Sequence, residues 1–270
     1  MFETIQPSKT TLDNICIQNP QFYNYARNSN QIGQSYTIGQ HPSISSPEKH
    51  FHKDPWEYKI NKYGFRGPNW DFKPRIALFG CSFVFGWGVE KDASQVMTED
   101  LNTQVINMGI PGASSIHVIK TFASFAKLHP MSHAFISLPP LHRVFMPHRP
   151  DKSYLESDFF WSSKFPAQSL SHKKYMNALY KIWTDDALIS TVADYIDWAQ
   201  LIAKDNKIQL YFTNWSDIFQ QSGPHIDGNI NKMCDNYYSW PKLDTDLARD
   251  GGHPGPRVLK DYAHTCLQLL

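Results

Sequence analysis

Short apolar runs recur along the chain, each separated from the next by a segment with helical periodicity. Ile76, Ala77, Leu78 and Phe79 form the first, bounded by Pro74 and Gly80. Unbroken runs of this length read as strands buried on both faces, as in the middle of a parallel sheet. Gln104 to Gly109, His133 to Leu138 and Lys207 to Thr213, each with an apolar cluster, read as the second, third and fourth strands. Between them, Ala93 to Leu101 reads as a short helix, and Ile116, Ile119, Ala123 and Ala126 recur at helical spacing. Met176, Leu179, Tyr180 and Trp183 mark another helix, and Val192, Ile196, Ala199 and Ile202 a further one. Pro256 to Leu270 closes the chain as a helix with proline in its first turn. Strand and helix alternating in this way predict a parallel sheet with right-handed crossovers.

The 270 residues, 41% hydrophobic, suffice for one full core. We expect one domain over residues 56–270, with an Asn-, Gln-, Ser- and His-rich extension or arm over 1–55. Residues 141–173 break the alternation and carry Phe145, Phe159, Phe160, Trp161 and Phe165, which predicts a folded lid or substrate wall. Basic and acidic residues balance to +1, so no general attraction for nucleic acid is expected. No run approaches the 18 apolar residues of a membrane span, and the start lacks the basic and apolar regions of a secretory signal. Cys16, Cys81, Cys234 and Cys266 form no CxxC pair, which fits reduced thiols and a cytoplasmic setting. His129 and His133 are four apart, but Pro130 between them argues against a helical metal face.

Three segments carry candidate chemistry. Gly80-Cys81-Ser82 follows the first strand, placing a serine at the sheet's carboxyl edge, where open α/β sheets bind ligands. A nucleophile fits there, and so does an ordinary strand-to-helix turn. Asp250-Gly-Gly-His253 precedes the last helix. A general base needs a partner that fixes its tautomer, and this loop can supply His253 and Asp250 together. Taken alone, the pair also fits a surface loop. Asn107-Met-Gly-Ile-Pro-Gly112 ends the second strand, and its backbone N–H groups can point to the same crevice as an oxyanion hole requires. Gly109 and Gly112 make the turn in either case. Arg66, in the lead-in to the first strand, fits an acidic ligand group or a structural ion pair, and we expect the ion pair.

Together these segments resemble the SGNH (GDSL-type) hydrolases. The resemblance lies in Gly80-Cys81-Ser82 with Phe83 to Gly88, in Val105 to Ser114, and in Asp250 to Pro254, in the family's order. The stretch Asn61 to Arg66 is similar to the lead-in of some members. The resemblance implies a flavodoxin-like three-layer α/β/α sandwich and hydrolysis of carboxylic (acyl or acetyl) esters of sugars or lipids. By position, Ser82 would be the nucleophile, His253 the base and Asp250 its orienting partner. The backbone N–H groups of Ser82 and Gly112 would form the oxyanion hole. No metal or organic cofactor is implied. The chain departs from the family at Cys81, where an aspartate is usual. It departs again at Ser137-Leu-Pro-Pro-Leu-His-Arg143, where the family's oxyanion-hole asparagine is replaced and His142 or Arg143 could donate instead. Trp87, Phe145, Trp161 and the segment from Trp215 to Trp240 are candidate substrate walls, for a small-molecule or glycan ester. Two other functions compatible with this scaffold are a binding protein that lost turnover and an acyltransferase using the same serine.

Overall fold

The computed structural model describes residues 35–37, 57–59, 61, 65–69, 76–139, 143–146, 157–160, 185–214, 232–238, 240–241, 246–248 and 253–270. Four parallel strands form the central sheet: β3 (Ile76–Gly80), β4 (Val105–Gly109), β5 (His133–Leu138) and β8 (Gln209–Asn214). Their spatial order is β4-β3-β5-β8. The chain therefore steps from β3 to one side, returns across β3, and continues to the other. With right-handed crossovers, that reversal puts the first connecting helix on one face and the next two on the opposite face. Helix α2 (Ala93–Leu101) packs with the last helix, α5 (Pro256–Leu267), and α3 (Ser115–Leu128) packs with α4 (Asp185–Asp205). The predicted α/β sandwich, flavodoxin-like in strand order, is the observed architecture.

The burial pattern explains why these residues form these strands. All five positions of β3 and of β4 are buried, so both faces of each strand need apolar or small side chains. On one face Phe79 meets Phe122 and Phe125 of α3 edge-on, with ring centroids 5.4 and 6.0 Å apart. On the other, Phe135 of β5 meets Tyr238 edge-on at 6.0 Å, and Tyr238 lies over Tyr262 of α5. Each fully buried ring of this kind contributes about 1.5–3 kcal/mol relative to exposure.

Helix starts are written locally. Asp92 caps α2 by accepting from the amides of Ser94 and Gln95, while Gln95 accepts from the amide of Asp92. Ser114 caps α3 by accepting from the amide of His117 at 3.2 Å. The outer edge of β8 is covered by 236–238, through Phe212 N–H to Asn236 O and Tyr238 N–H to Phe212 O, both 2.9 Å. That short segment occupies the place of a fifth strand.

Two small ladders lie outside the main sheet. β1 (Ser35–Thr37) pairs antiparallel with β2 (Glu57–Lys59), and β6 (Arg143–Met146) pairs antiparallel with β7 (Ser157–Phe160). The second ladder falls inside the aromatic-rich insertion, where the sequence pattern had indicated no regular element. Its alternation is too short to stand out among prolines and charges. The predicted helix through Met176 and Trp183 lies outside the described residues. No helix among the described residues is long and apolar enough to cross a membrane.

Candidate active site

Strand β3 is flanked by β4 and β5; the chain leaves β3 toward β4 on one side and leaves β5 toward β8 on the other, so the connections from these two neighbouring strands run in opposite directions. Such a reversal opens a crevice at the carboxyl edge of the sheet. The chain leaves β3 into that crevice through Gly80 and Cys81 and turns at once into the four-residue helix α1 (Ser82–Phe85). Gly80 is required there by space: a Cβ would come within 3 Å of the Val84 side chain and 3.2 Å from the Ser137 carbonyl oxygen. The tight turn sets Ser82 at the first helical position, where its amide has no partner within the helix.

His253 arrives from the opposite end of the chain. Its Nε2 lies 2.8 Å from Ser82 Oγ, hydrogen-bond distance between side chains 171 residues apart in sequence. Ser82 is buried and His253 half-buried. The loop carrying the histidine is held by a short antiparallel bridge, Leu247 with Pro254. In it the Ala248 amide donates to His253 O and the Gly255 amide to Asp246 O, both at 2.8 Å. Pro254 biases the residue before it to extended backbone, which suits that bridge. The imidazole stands against Phe83, with ring centroids 5.5 Å apart, and Trp87, at 6.4 Å. Both rings come from the segment that bears the serine.

The glycine-rich segment after β4 packs onto the same helix. Asn107 accepts from the Gly109 amide at 2.8 Å and donates through Nδ2 to the Val84 carbonyl at 2.9 Å, tying β4 to α1. The Ile110 amide donates to Gly80 O at 2.8 Å. Gly112 has φ of 84°, a left-handed conformation that glycine adopts without strain. It lies in the turn before α3, at the sheet edge that also carries Ser82. From the sequence Asn107 reads only as part of a turn; the tie that it makes depends on two partners from separate segments.

Other predicted residues fall differently. Cys81 is buried with its Sγ 4.0 Å from Ser82 Oγ, and Cys81, Cys234 and Cys266 are free thiols. Burial pushes the Cys266 and Cys234 thiols up to about 12, in the latter case with Asp235 and Asp197 adding to the effect. Trp87 is half-buried beside the histidine. Trp240, predicted within a substrate wall, is buried instead: its Nε1 donates to Ser137 Oγ at 2.8 Å and its ring stacks on Tyr262 at 3.9 Å. It supports Phe83 from behind, edge-on at 5.9 Å. Asp250, His142, Trp161 and Trp215 lie outside the described residues; for Arg143 and Phe145 the backbone path in β6 is described.

Two contributors were not singled out by sequence reading. Asp246 Oδ2 accepts from the Val258 amide at 2.9 Å and so caps α5, whose own N-cap is Gly255. A Cβ on Gly255 would lie 2.6 Å from the Asp246 Cγ, so glycine leaves room for the cap that a local side chain would supply. Ser137 anchors Trp240 from the end of β5. Neither follows a local motif, since each partner comes from a distant segment.

No protein-family model matches the chain, and no curated protein matches it. Solved structures similar to it include GDSL- and SGNH-type hydrolases. One is a protein from Desulfitobacterium hafniense described as lipolytic and of the G-D-S-L family, with 11% identity and a TM-score of 0.46 over 73% of this chain and 100% of that one. A second is a carbohydrate esterase family 2 enzyme with a carbohydrate-binding domain, from Corynascus thermopiles (Myceliophthora fergusii). It has 11% identity and a TM-score of 0.45 over 80% of this chain and 70% of that one. A third is an SGNH-hydrolase family esterase, with 12% identity and a TM-score of 0.38 over 73% of this chain and 94% of that one.

Proposed function

We propose that the protein is a serine hydrolase of the SGNH type that cleaves carboxylic esters through an acyl-enzyme on Ser82. The observation that carries the reading is the 2.8 Å approach of His253 Nε2 to Ser82 Oγ at the carboxyl edge of β3. In this reading neutral His253 accepts the Ser82 proton as Oγ attacks the ester carbonyl, then returns it to the leaving alcohol. Water, activated by the same imidazole, releases the acid and restores the serine. Asp250 would accept from the other imidazole nitrogen and fix the tautomer. The amides of Ser82 and Gly112, with His142 or Arg143, would donate to the oxyanion. The substrate would be a small-molecule or glycan ester of the acyl or acetyl kind.

The test is hydrolysis of short and medium p-nitrophenyl esters by wild type, Ser82→Ala and Cys81→Ala. Ser82→Ala should lose on the order of a thousandfold or more in turnover while Cys81→Ala retains it. Loss confined to Cys81→Ala would overturn the serine reading. A second reading, a binding protein of the same fold, is favoured by one observation. Strand β5 ends at Leu138 and runs into Pro139, with Ser137 engaged by Trp240, where the resemblance would place an asparagine donor. Losing one such donor costs on the order of 100-fold or more. That reading predicts ligand binding that survives Ser82→Ala, with no acyl-enzyme.

A further inference from the structure

We infer that Arg66 is a positioning residue for the catalytic pair, acting through the turn that presents Trp87 to His253; this rests on the proposed roles of Ser82 and His253. Arg66 is buried, and so is Asp92, whose Oδ2 lies 3.0 Å from Arg66 Nε. The guanidinium reaches four consecutive-turn carbonyls: Nη1 donates to Phe85 O at 3.2 Å and Gly86 O at 2.6 Å. Nη2 donates to Val89 O at 3.0 Å and Glu90 O at 2.5 Å. Its carbon also lies 5.7 Å from the centroid of the Phe85 ring. A rigid fork with five N–H donors can hold four carbonyls and a carboxylate at once, which a lysine ammonium cannot.

The clamped segment is the one that follows Ser82. Gly86 and Gly88 adopt φ of 73° and 78°, and Trp87 stands between them. A Cβ on Gly86 would lie 2.7 Å from Asp92 Cβ and 3.1 Å from Arg66 Nη1, so the clamp closes only over a glycine. The turn aims the Trp87 ring at His253, 6.4 Å away, and against Phe85 at 5.8 Å. The imidazole is thus held between Phe83 and Trp87, one ring from α1 and one from the clamped turn. A guanidinium used only to satisfy buried carbonyls would support folding. One that fixes Trp87 also sets the angle at which His253 meets Ser82 Oγ, and misplacement of about 1 Å there costs up to about 100-fold.

The test uses covalent labelling of the full chain by a fluorophosphonate, which needs no knowledge of the natural substrate. Ser82 Oγ forms the bond to phosphorus, fluoride leaves, and the proton goes to His253. Arg66→Lys and Trp87→Ala, shown folded by circular dichroism, should label at least about tenfold more slowly at saturating reagent. Half-saturation and final stoichiometry should stay at wild-type values, and Trp87→Phe should restore the rate to within about threefold. Folded Arg66→Lys and Trp87→Ala that label within about twofold of wild type would overturn the inference. If Arg66→Lys fails to fold, Trp87→Ala, which leaves the ion pair untouched, decides by the same criterion. Folded wild type that does not label at Ser82 would instead overturn the nucleophile itself, and the inference with it.

Discussion

Glycine at 109 shows how a single residue can be dictated by its neighbour's backbone rather than by its own torsion. A Cβ there would fall within 3 Å of Phe85 N and Cα and of Asn107 Oδ1. The first two are main-chain atoms of the serine-bearing segment and cannot rotate away. Gly109→Ala should therefore push α1 off β4, costing about 1–3 kcal/mol of stability. Urea denaturation would measure that loss, and fluorophosphonate labelling of the folded fraction would slow as Ser82 shifts. A midpoint equal to wild type would show that the contact relaxes freely. Burial likewise governs the thiols. With Cys234 and Cys266 pushed up to about 12 by burial, neither carries at neutral pH the thiolate that a nucleophilic cysteine needs.

Among the elements, α5 is capped from a distance. Its first turn contains Pro256, its N-cap is a glycine, and the acceptor for the Val258 amide is Asp246. Asp246→Ala should lower stability by about 1 kcal/mol, read as a shift in denaturation midpoint. The backbone bonds that hold His253 to Ala248 do not use that side chain. Labelling of Ser82 in the folded variant should therefore stay within a few-fold of wild type. A large loss of labelling with unchanged stability would mean that Asp246 acts on the histidine rather than on the helix. The same distinction separates α2, whose start at Asp92 is written as a capping box within four residues, from α5, whose start is completed by the fold.

At the level of the whole molecule, pH reports how deeply histidines are folded in. Burial lowers the affinity of His129 and His133 for a proton relative to the ordinary value. Both bind a proton more readily in the unfolded chain, so protonation there draws the equilibrium toward unfolding as pH falls below about 6.5. The stability they support is full above that pH and is lost on acidification through their lowered folded values. His129→Gln should flatten the stability-versus-pH curve below about pH 6.5, followed by denaturant midpoints across a pH series. An unchanged slope would assign the acid sensitivity elsewhere. The strands were legible in the sequence because β3, buried on both faces, demands an unbroken apolar run, and β4, β5 and β8 each carry an apolar cluster between turn residues. Ser82 was legible as the residue at a strand's carboxyl end, and His253 as part of a glycine-rich loop before a terminal helix. Their meeting was expected only through the family resemblance, because 171 residues of chain separate them and spacing carries no information about that distance. The ion pair expected of Arg66 is made with Asp92, but its hold on four backbone carbonyls was not legible, since carbonyls have no residue-type signature. Trp240 was misread for a related reason: an aromatic between loop-like segments looks the same whether its ring faces solvent or stacks on Tyr262. The sequence alone determined the alternation of strands and helices, since local periodicity encodes burial. Which side chains face one another across the crevice was decided by the tertiary structure, since it depends on how the strands order themselves around β3.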